Sequence, residues 1–571
     1  MASQYIAKAS SAEGFPLLIK SLLESGVKRA PEQEIVSGNQ NRFSYQEFAE
    51  RVGRLASGLA SLGVERGDTV AIMDWDTHRY LECFFAVPMI GAVLHTVNVR
   101  LSAEQILYTI NHAEDDVIFI NSEFLPILHQ IWDRVDAGKK LVLLSDTGKP
   151  TQTVQSSLSF DAEYEALLAA ADPRRDFPEL DESTRATTFY TTGTTGQPKG
   201  VYFSHRQLVL YTLSTRAALA AIGHGWFNEE DVYMPITPMF HVHAWGYPYI
   251  ATLLGLKQVY SGRYVPDSIV EIFKREKVTL SHCVPTILRM LLDSAKTKGI
   301  DLSGWKMIIG GAVLPQALAR EALELGLDVY AGYGMSEACP TLTLSSLMPK
   351  MNSWGFERQI EIRCKAGRPL PLAQLRIVDG EMNDLPHDGK TSGELMARAP
   401  WLTQGYLKDP KSSERLWEGG WLHTGDLATI DADGYVKITD RLKDVIKSGG
   451  EWISSLQLED LILRHPGVAE AAVIGVPDPK WIERPLALLV AKPGQEVSEA
   501  QIRTHLHNFA RKGHHPPLQR AGANCLRGGF AQDQRRQTRQ EGVARTVRRI
   551  TPWSHADRLH DILIGFLNTF E

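Results

Sequence analysis

Tyr190-Thr-Thr-Gly-Thr-Thr-Gly-Gln-Pro-Lys-Gly200 sets hydroxyls, three glycines and one lysine between the apolar-leaning Thr187-Thr-Phe-Tyr190 and the strand-like Val201-Tyr-Phe203. Glycine lets a backbone turn tightly and expose its N–H groups, threonine adds hydroxyl donors, and lysine adds a mobile positive charge. Such a loop suits a polyphosphate. It is not a Walker A loop, because Gly-x4-Gly-Lys-Ser/Thr cannot be laid onto it. A flexible surface loop rich in turn formers has the same composition, so the choice rests on what stands elsewhere in the chain.

On the N-terminal side, Ser44-Tyr-Gln-Glu47 has the form of a capping box. Phe48, Val52, Leu55, Leu59 and Leu62 follow at three- and four-residue spacing, with Gly63 as a stop, which predicts one amphipathic helix. Asp68-Thr-Val-Ala-Ile-Met73 is then a short buried strand. The alternation continues through Tyr80 to Ala92, Ser102 to His112 and Asp116 to Ile120, and predicts parallel sheets covered by helices. Asp172 to Glu182 is an acidic connection into the Thr/Gly loop.

On the C-terminal side, Ser204 to Ile222 reads as a helix. Met234-Pro-Ile-Thr-Pro-Met-Phe-His-Val-His-Ala-Trp245 contains two prolines that preclude a regular helix, and its His241, His243 and Trp245 are either core residues or the lining of a site. Lys306 to Ile309 runs into Gly310-Gly-Ala-Val-Leu-Pro315, and Val329-Tyr-Ala-Gly-Tyr-Gly-Met-Ser-Glu337 again takes a strand into a glycine turn. Open sheets bind ligands at such strand ends. Gly393 to Gly434 is richer in strands, and Asp440-Arg-Leu-Lys-Asp-Val-Ile-Lys-Ser-Gly-Gly-Glu451 is dense in charge. A helix over Leu456 to Arg464 and strands over Val468 to Val476 and Pro485 to Ala491 make a small α+β unit. The expected architecture is a large α/β N-terminal domain, residues 1–440, with a small β-rich subdomain, followed by a small α+β C-terminal lid, residues 441–571.

A chain of 571 residues is too long for one core. Its 43% hydrophobic and 22% charged residues are those of a soluble globular protein, and a net charge of -6 gives no reason to expect nucleic acid as a partner. The five cysteines, Cys83, Cys283, Cys339, Cys364 and Cys525, have no metal-ligand spacing and fit a reducing compartment. No signal peptide opens the chain, and Cys83 to Val97 is too short to span a bilayer. The expectation is a cytoplasmic protein without a transmembrane segment.

Four stretches, Thr191-Thr-Gly-Thr-Thr-Gly-Gln-Pro-Lys-Gly200, Tyr333-Gly-Met-Ser-Glu337, Thr424-Gly-Asp426 and Asp440-Arg-Leu-Lys-Asp444, occur in an order and at separations that resemble the adenylate-forming superfamily. Within it the chain is similar to fatty acyl-CoA synthetases of medium- and long-chain type, from roughly Phe43 to about Lys512. The resemblance implies coupling of a carboxylate to ATP as an acyl-adenylate, with transfer of the acyl group to the thiol of CoA. It also implies that Thr191, Thr192, Gly193, Thr194, Thr195, Gly196 and Lys199 close over the phosphates, and that Tyr333 stacks on adenine beside Gly311, Ala312 and Gly334. Ser336 would touch the α-phosphate, with serine in place of the commoner threonine. Glu337 would hold Mg2+, while Asp426 and Arg441 would take the ribose. Thr191, Lys199, His241 and Glu337 are the implied catalytic set. Trp245, Gly310 and Gly311 would line the fatty-acid tunnel, with His241 near the carboxylate. Lys443 sits where the family has its hinge, and Gly449, Gly450, Glu451 and Trp452 would face the CoA channel. The resemblance leaves room for a homodimer and for peripheral membrane contact. Rival readings are an enzyme that activates an aryl acid or loads a carrier protein, and a weakened protein that binds nucleotide or acyl chains without turnover.

The chain departs from the family in its last sixty residues. The family's Pro-Lys-Thr-x-x-Gly-Lys segment is absent, and after about Lys512 the sequence becomes a basic tail, including Asp533-Gln-Arg-Arg-Gln-Thr-Arg-Gln540. Ala531 to Gln540 can be encoded as GCC CAA GAC CAG CGT CGG CAA ACT CGA CAA. Read one base later, these codons give Pro-Lys-Thr-Ser-Val-Gly-Lys-Leu-Asp, so a frameshift near Arg511 to Gly513 is the expectation. A lineage-specific extension is the alternative. Loss of the lysine predicts impaired adenylation.

Overall fold

The computed structural model describes residues 9–38, 41–145, 158–174, 176–191, 197–223, 225–448, 451–479, 482–492, 494–495 and 497–511. Thr192, Gly193, Thr194, Thr195 and Gly196, the pair Gly449 and Gly450, Cys525 and the whole basic tail lie outside the described residues.

Local signals act where the sequence puts them. Ser44 Oγ accepts from the Glu47 N–H at 3.1 Å, and the Glu47 carboxylate accepts from the Ser44 N–H at 2.7 Å, starting the helix Tyr45–Ser61. Phe48, Val52, Leu55 and Leu59 are its buried stripe, and Gly63 at φ 81° ends the turn beyond it. Ser102 with Gln105, and Ser204 with Gln207, repeat the box at two further helices. Every residue of the helix His78–Met89 is buried, which explains its apolar run. Among the described residues no helix is long and apolar enough to cross a membrane.

Two large sheets share the main core. In the seven-stranded sheet, Thr69–Met73 lies in parallel between Val93–Thr96 and Asp115–Asn121, and Val93–Thr96 pairs in parallel with Arg185–Thr191. Lys199–Ser204 then returns antiparallel to Arg185–Thr191, with Thr191 opposite Lys199. The nine-stranded sheet runs in parallel through Glu34–Ser37, Lys257–Tyr260, Val232–Tyr233, Leu280–Cys283, Lys306–Ile309 and Asp328–Gly334. Its outer strands Asn41–Ser44, Thr341–Leu344 and Arg368–Pro369 are antiparallel. The sheets are thus mixed rather than wholly parallel: the links into Asn41–Ser44 and Thr341–Leu344 are too short for a crossover helix, whereas Arg368–Pro369 follows a longer connection that carries the helix Phe356–Arg363.

A four-stranded antiparallel sheet of Gln374–Val378, Gly393–Arg398, Leu422–Ile430 and Val436–Arg441 forms the β-rich part. A second four-stranded sheet, with strands Ile446–Ser448, Glu451–Ile453, Val468–Asp478 and Ile482–Ala491, packs the helices Ser455–Leu463 and Glu499–Arg511 around its own core of Ile446, Leu461, Val473 and Ile502. The two units meet at Asp440. Its carboxylate accepts from the Ser455 N–H at 2.7 Å and the Ser455 hydroxyl at 3.1 Å, while Ser454 Oγ donates to the Thr439 carbonyl at 2.5 Å. Cys83, Cys283, Cys339 and Cys364 are free thiols.

Candidate active site

Three segments bring the lysine of the Thr/Gly hairpin to a buried carboxylate. Lys199 lies at the start of its strand, and its ammonium donates to Ser412 Oγ at 3.1 Å and lies 4.6 Å from the Tyr406 ring centroid. Ser412 is held by Asp409, which caps the helix Pro410–Leu416. Tyr406 in turn donates its hydroxyl to Glu337 Oε1 at 2.7 Å. Glu337 is 8% exposed in the turn after Asp328–Gly334, and Thr403 N–H bonds its carbonyl at 2.9 Å. Burial pushes the Glu337 carboxyl above the usual range, opposed by the Tyr406 hydroxyl and the Lys199 charge. At the other side of the hairpin, the Tyr190 hydroxyl lies 2.8 Å from His112 Nδ1 and fixes the base of the loop beside Thr191.

A second group of polar residues stands next to the first. Tyr333 donates its hydroxyl to Asp426 Oδ2 at 2.6 Å. Asp426 is opposite Arg441 in the antiparallel ladder, with the guanidinium Nε 3.8 Å from Oδ1. Burial raises the Asp426 carboxyl, while the Tyr333 hydroxyl, Arg441 and Lys443 lower it and Asp444 adds to the rise. Glu337 also feels the Asp426 charge, so the two groups share one field. Burial lowers the Lys443 ammonium. Gly334, between Tyr333 and Glu337, packs so closely on the Pro340 carbonyl that a β-carbon would run into it.

The apolar side of the site begins at the carboxyl end of Lys306–Ile309. Gly310 is buried, and a β-carbon there would stand 3.0 Å from Cη2 of Trp245. Gly311 at φ 76° and the exposed Ala312 continue the turn. Trp245 is 6% exposed and ends a turn in which Val242, His243, Ala244 and Trp245 all have left-handed φ values of 49°, 56°, 47° and 57°. Each costs roughly 1–2 kcal/mol in an L-residue, so the turn is held by its packing. His243 is buried against Phe84, Phe189 and Tyr249, and belongs to the core. His241 faces the open side of the same segment, and the surrounding protein and the nearby Arg100 charge lower its imidazole, keeping it neutral.

Thr191, Lys199, Tyr333 and Gly334 stand at strand ends, Ser336 and Glu337 in the turn beyond, and Asp426 midway along Leu422–Ile430 opposite Arg441, with Lys443 just past Val436–Arg441. Glu451 and Trp452 lie on a strand of the small sheet, paired with Ser448 and Lys447. Sequence reading missed Tyr406 and Ser412, which complete the surroundings of Lys199 and Glu337. Gly405-Tyr406 before the Asp409-Pro410 cap was the available signal. It also missed His282, which lies beneath Trp245. Among the described residues no group of three or more His, Cys, Asp or Glu could hold a metal ion.

The chain belongs to the AMP-binding enzyme family: the family's model matches residues 23–407, and the model of the AMP-binding enzyme C-terminal domain matches residues 457–519. Within that family it stands with the acid–thiol ligases. It is 40% identical over 481 residues to a long-chain-fatty-acid–CoA ligase of Thermus thermophilus, covering 83% of this chain and 86% of the relative. It is also 40% identical over 499 residues to a 3-methylmercaptopropionyl-CoA ligase of Ruegeria lacuscaerulensis, covering 85% and 90%. A medium-chain-fatty-acid–CoA ligase of Ectopseudomonas oleovorans is 36% identical over 494 residues, covering 85% and 89%. Among solved structures, ATP-bound MatB from Rhodopseudomonas palustris superposes with a TM-score of 0.74 at 25% identity, covering 91% of this chain and 96% of that one.

Proposed function

We propose that the chain activates a fatty acid of medium or long chain with ATP and transfers the acyl group to CoA. The observation that carries this reading is the meeting of Lys199, Tyr406 and Glu337 with Tyr333, Asp426 and Arg441, beside the strand Asp328–Gly334 against which Gly310 and Trp245 pack. In the first half-reaction a carboxylate oxygen attacks the α-phosphorus and pyrophosphate leaves. In the second, the CoA sulfur attacks the acyl carbon and AMP leaves.

The residues divide the work. Lys199 and the Thr191 hairpin offset the phosphate charge. Asp426, oriented by the Tyr333 hydroxyl and Arg441, accepts from ribose hydroxyls, and the Tyr333 ring lies against the base with Gly334, Gly311 and Ala312. Ser336 donates to the α-phosphate. The neutral His241 donates to an oxygen of the acyl carboxylate, and Gly310, Gly311 and Trp245 bound the tail. Each CH2 buried there contributes about 0.8 kcal/mol. Among the described residues Glu337 is a buried carboxylate outside any group of three or more possible metal ligands, which suits Mg2+ held mainly by phosphates. Bound there, the ion would neutralise phosphate charge. Lys443 is the proposed hinge of a lid beginning at about residue 441, with Gly449, Gly450, Glu451 and Trp452 toward the thiol.

The test is pyrophosphate release from ATP with octanoate or palmitate, beside CoA acylation from synthetic acyl-AMP, on the chain as written. Acylation from acyl-AMP with weak pyrophosphate release is expected, since the C-terminal lysine segment is missing. Nucleotide binding with neither reaction would replace this reading by that of a binding protein, and activity confined to benzoates would replace the fatty acid by an aryl acid.

A further inference from the structure

The indole of Trp245 does not stand alone at the apolar end of the site. It lies on the ring of His282, with centroids 5.0 Å apart and planes inclined by 28°. His282 sits on the strand Leu280–Cys283, one residue before the cysteine whose carbonyl accepts from the Gly310 N–H. It is fully buried. Its ring is fixed at both nitrogens, with Nε2 2.8 Å from the Tyr233 hydroxyl and Nδ1 3.0 Å from Thr237 Oγ1. The same ring also meets the rings of Tyr247 at 4.6 Å and Tyr233 at 5.8 Å. Burial drops the imidazole pKa to about 3, so the ring is uncharged. The edge of the indole is closed by Gly310, where a β-carbon would stand 3.0 Å from Cη2, and the Trp245 carbonyl is held by the Tyr211 hydroxyl at 2.8 Å.

Beneath the indole the molecule is therefore a filled stack of aromatic rings, not open space. An acyl tail entering past Gly310 reaches Trp245 first, and a tail too long for the space above must move the indole off His282. We propose that His282 is the specificity-determining residue for acyl length: its ring, locked by Tyr233 and Thr237, holds Trp245 down and penalises the chains long enough to displace it. The inference rests on the acyl-adenylate reading given above and names the residue that sets its substrate range. One aromatic pair accounts for a discrimination of a few-fold to about tenfold.

The test measures binding rather than turnover, so the missing lysine segment does not enter. The probes are butanoyl- and dodecanoyl-sulfamoyl-adenosine, titrated calorimetrically into the full chain. His282→Ala is expected to raise the affinity for the dodecanoyl compound relative to the butanoyl one by up to about tenfold. His282→Gln, which keeps polar contacts to Tyr233 and Thr237 but removes the ring, should do the same and serves where the alanine variant does not fold. His282→Phe, which keeps a ring under the indole, should leave the ratio close to that of the unaltered chain. A ratio unchanged in both His282→Ala and His282→Gln overturns the proposal, as does a phenylalanine variant that shifts it as far as alanine. If the unaltered chain binds neither compound, the acyl-adenylate reading itself fails and this inference falls with it.

Discussion

Replacing Tyr333 by phenylalanine removes one oxygen atom and keeps the ring. That oxygen donates to Asp426 at 2.6 Å, on a carboxylate whose side chain is 16% exposed. A hydrogen bond to a charged group is worth about 1.5–3 kcal/mol. Because Asp426 keeps some access to water, and Arg441 remains 3.8 Å away, the loss should fall at the low end, about 1.5 kcal/mol. If Tyr333 orients Asp426 for the ribose, this loss appears as a roughly tenfold weaker Kd for AMP. Calorimetric titration of AMP into the unaltered chain, Tyr333→Phe, Asp426→Asn and the double variant completes the cycle. The two changes should be non-additive by more than about 0.5 kcal/mol, since Tyr333→Phe removes the bond whose charge assistance Asp426→Asn takes away. Tyr333→Phe binding within twofold of the unaltered chain, while Asp426→Asn loses tenfold, would refute the reasoning. So would strict additivity.

Three other outcomes are expected. Glu459 accepts from the Val473 N–H at 2.8 Å, and burial raises its carboxyl pKa to about 7. The folded lid thus holds a proton that the unfolded chain, near 4.5, has already lost, so lid stability should fall as pH rises from about 4.5 to 7 and then level off. Glu459→Gln should flatten that slope and stabilise the lid by on the order of 1 kcal/mol above neutrality, read by hydrogen exchange across Ser455–Leu463. Gly334→Ala should destabilise by about 1–3 kcal/mol, because the methyl group needs the space of the Pro340 carbonyl; a melting temperature equal to that of the unaltered chain would contradict this. Resequencing the gene across Arg511 to Gln540 should give codons whose shifted frame encodes the Pro-Lys-Thr-x-x-Gly-Lys segment, and restoring that frame should raise pyrophosphate release about a hundredfold or more. Synonymous codons without the segment would end the frameshift explanation.

Much of the molecule was legible in the sequence, and the reasons are local. Ser44 and Glu47 announce a helix start because both halves of the box lie within four residues. Thr69–Met73 reads as a buried strand because both its faces are covered. The hairpin of Thr191 and Lys199, the turn of Tyr333 and Glu337, and the strand of Asp426 are contiguous motifs, each visible without the fold. Tyr406, Ser412 and His282 were not legible because their importance lies in pairs far apart in sequence: Tyr406 with Glu337, Ser412 with Lys199, and His282 with Trp245. The left-handed turn over Val242–Trp245 escaped for a related reason. Two prolines announce that a helix is impossible there, but only surrounding packing imposes a backbone that these residues disfavour.

The bonds between Asp440 and Ser455, and between Thr439 and Ser454, lie astride the proposed hinge at Lys443. A lid that rotates there must part all three. At about 0.5–1.5 kcal/mol each, they bias the resting orientation by roughly 1.5–4.5 kcal/mol, leaving the rotated one about a tenth to a thousandth as populated until ligands stabilise it. Two serines and an aspartate would then act as a latch on such a lid, and loosening those side chains would shift its balance of orientations without altering the groups proposed to meet the nucleotide.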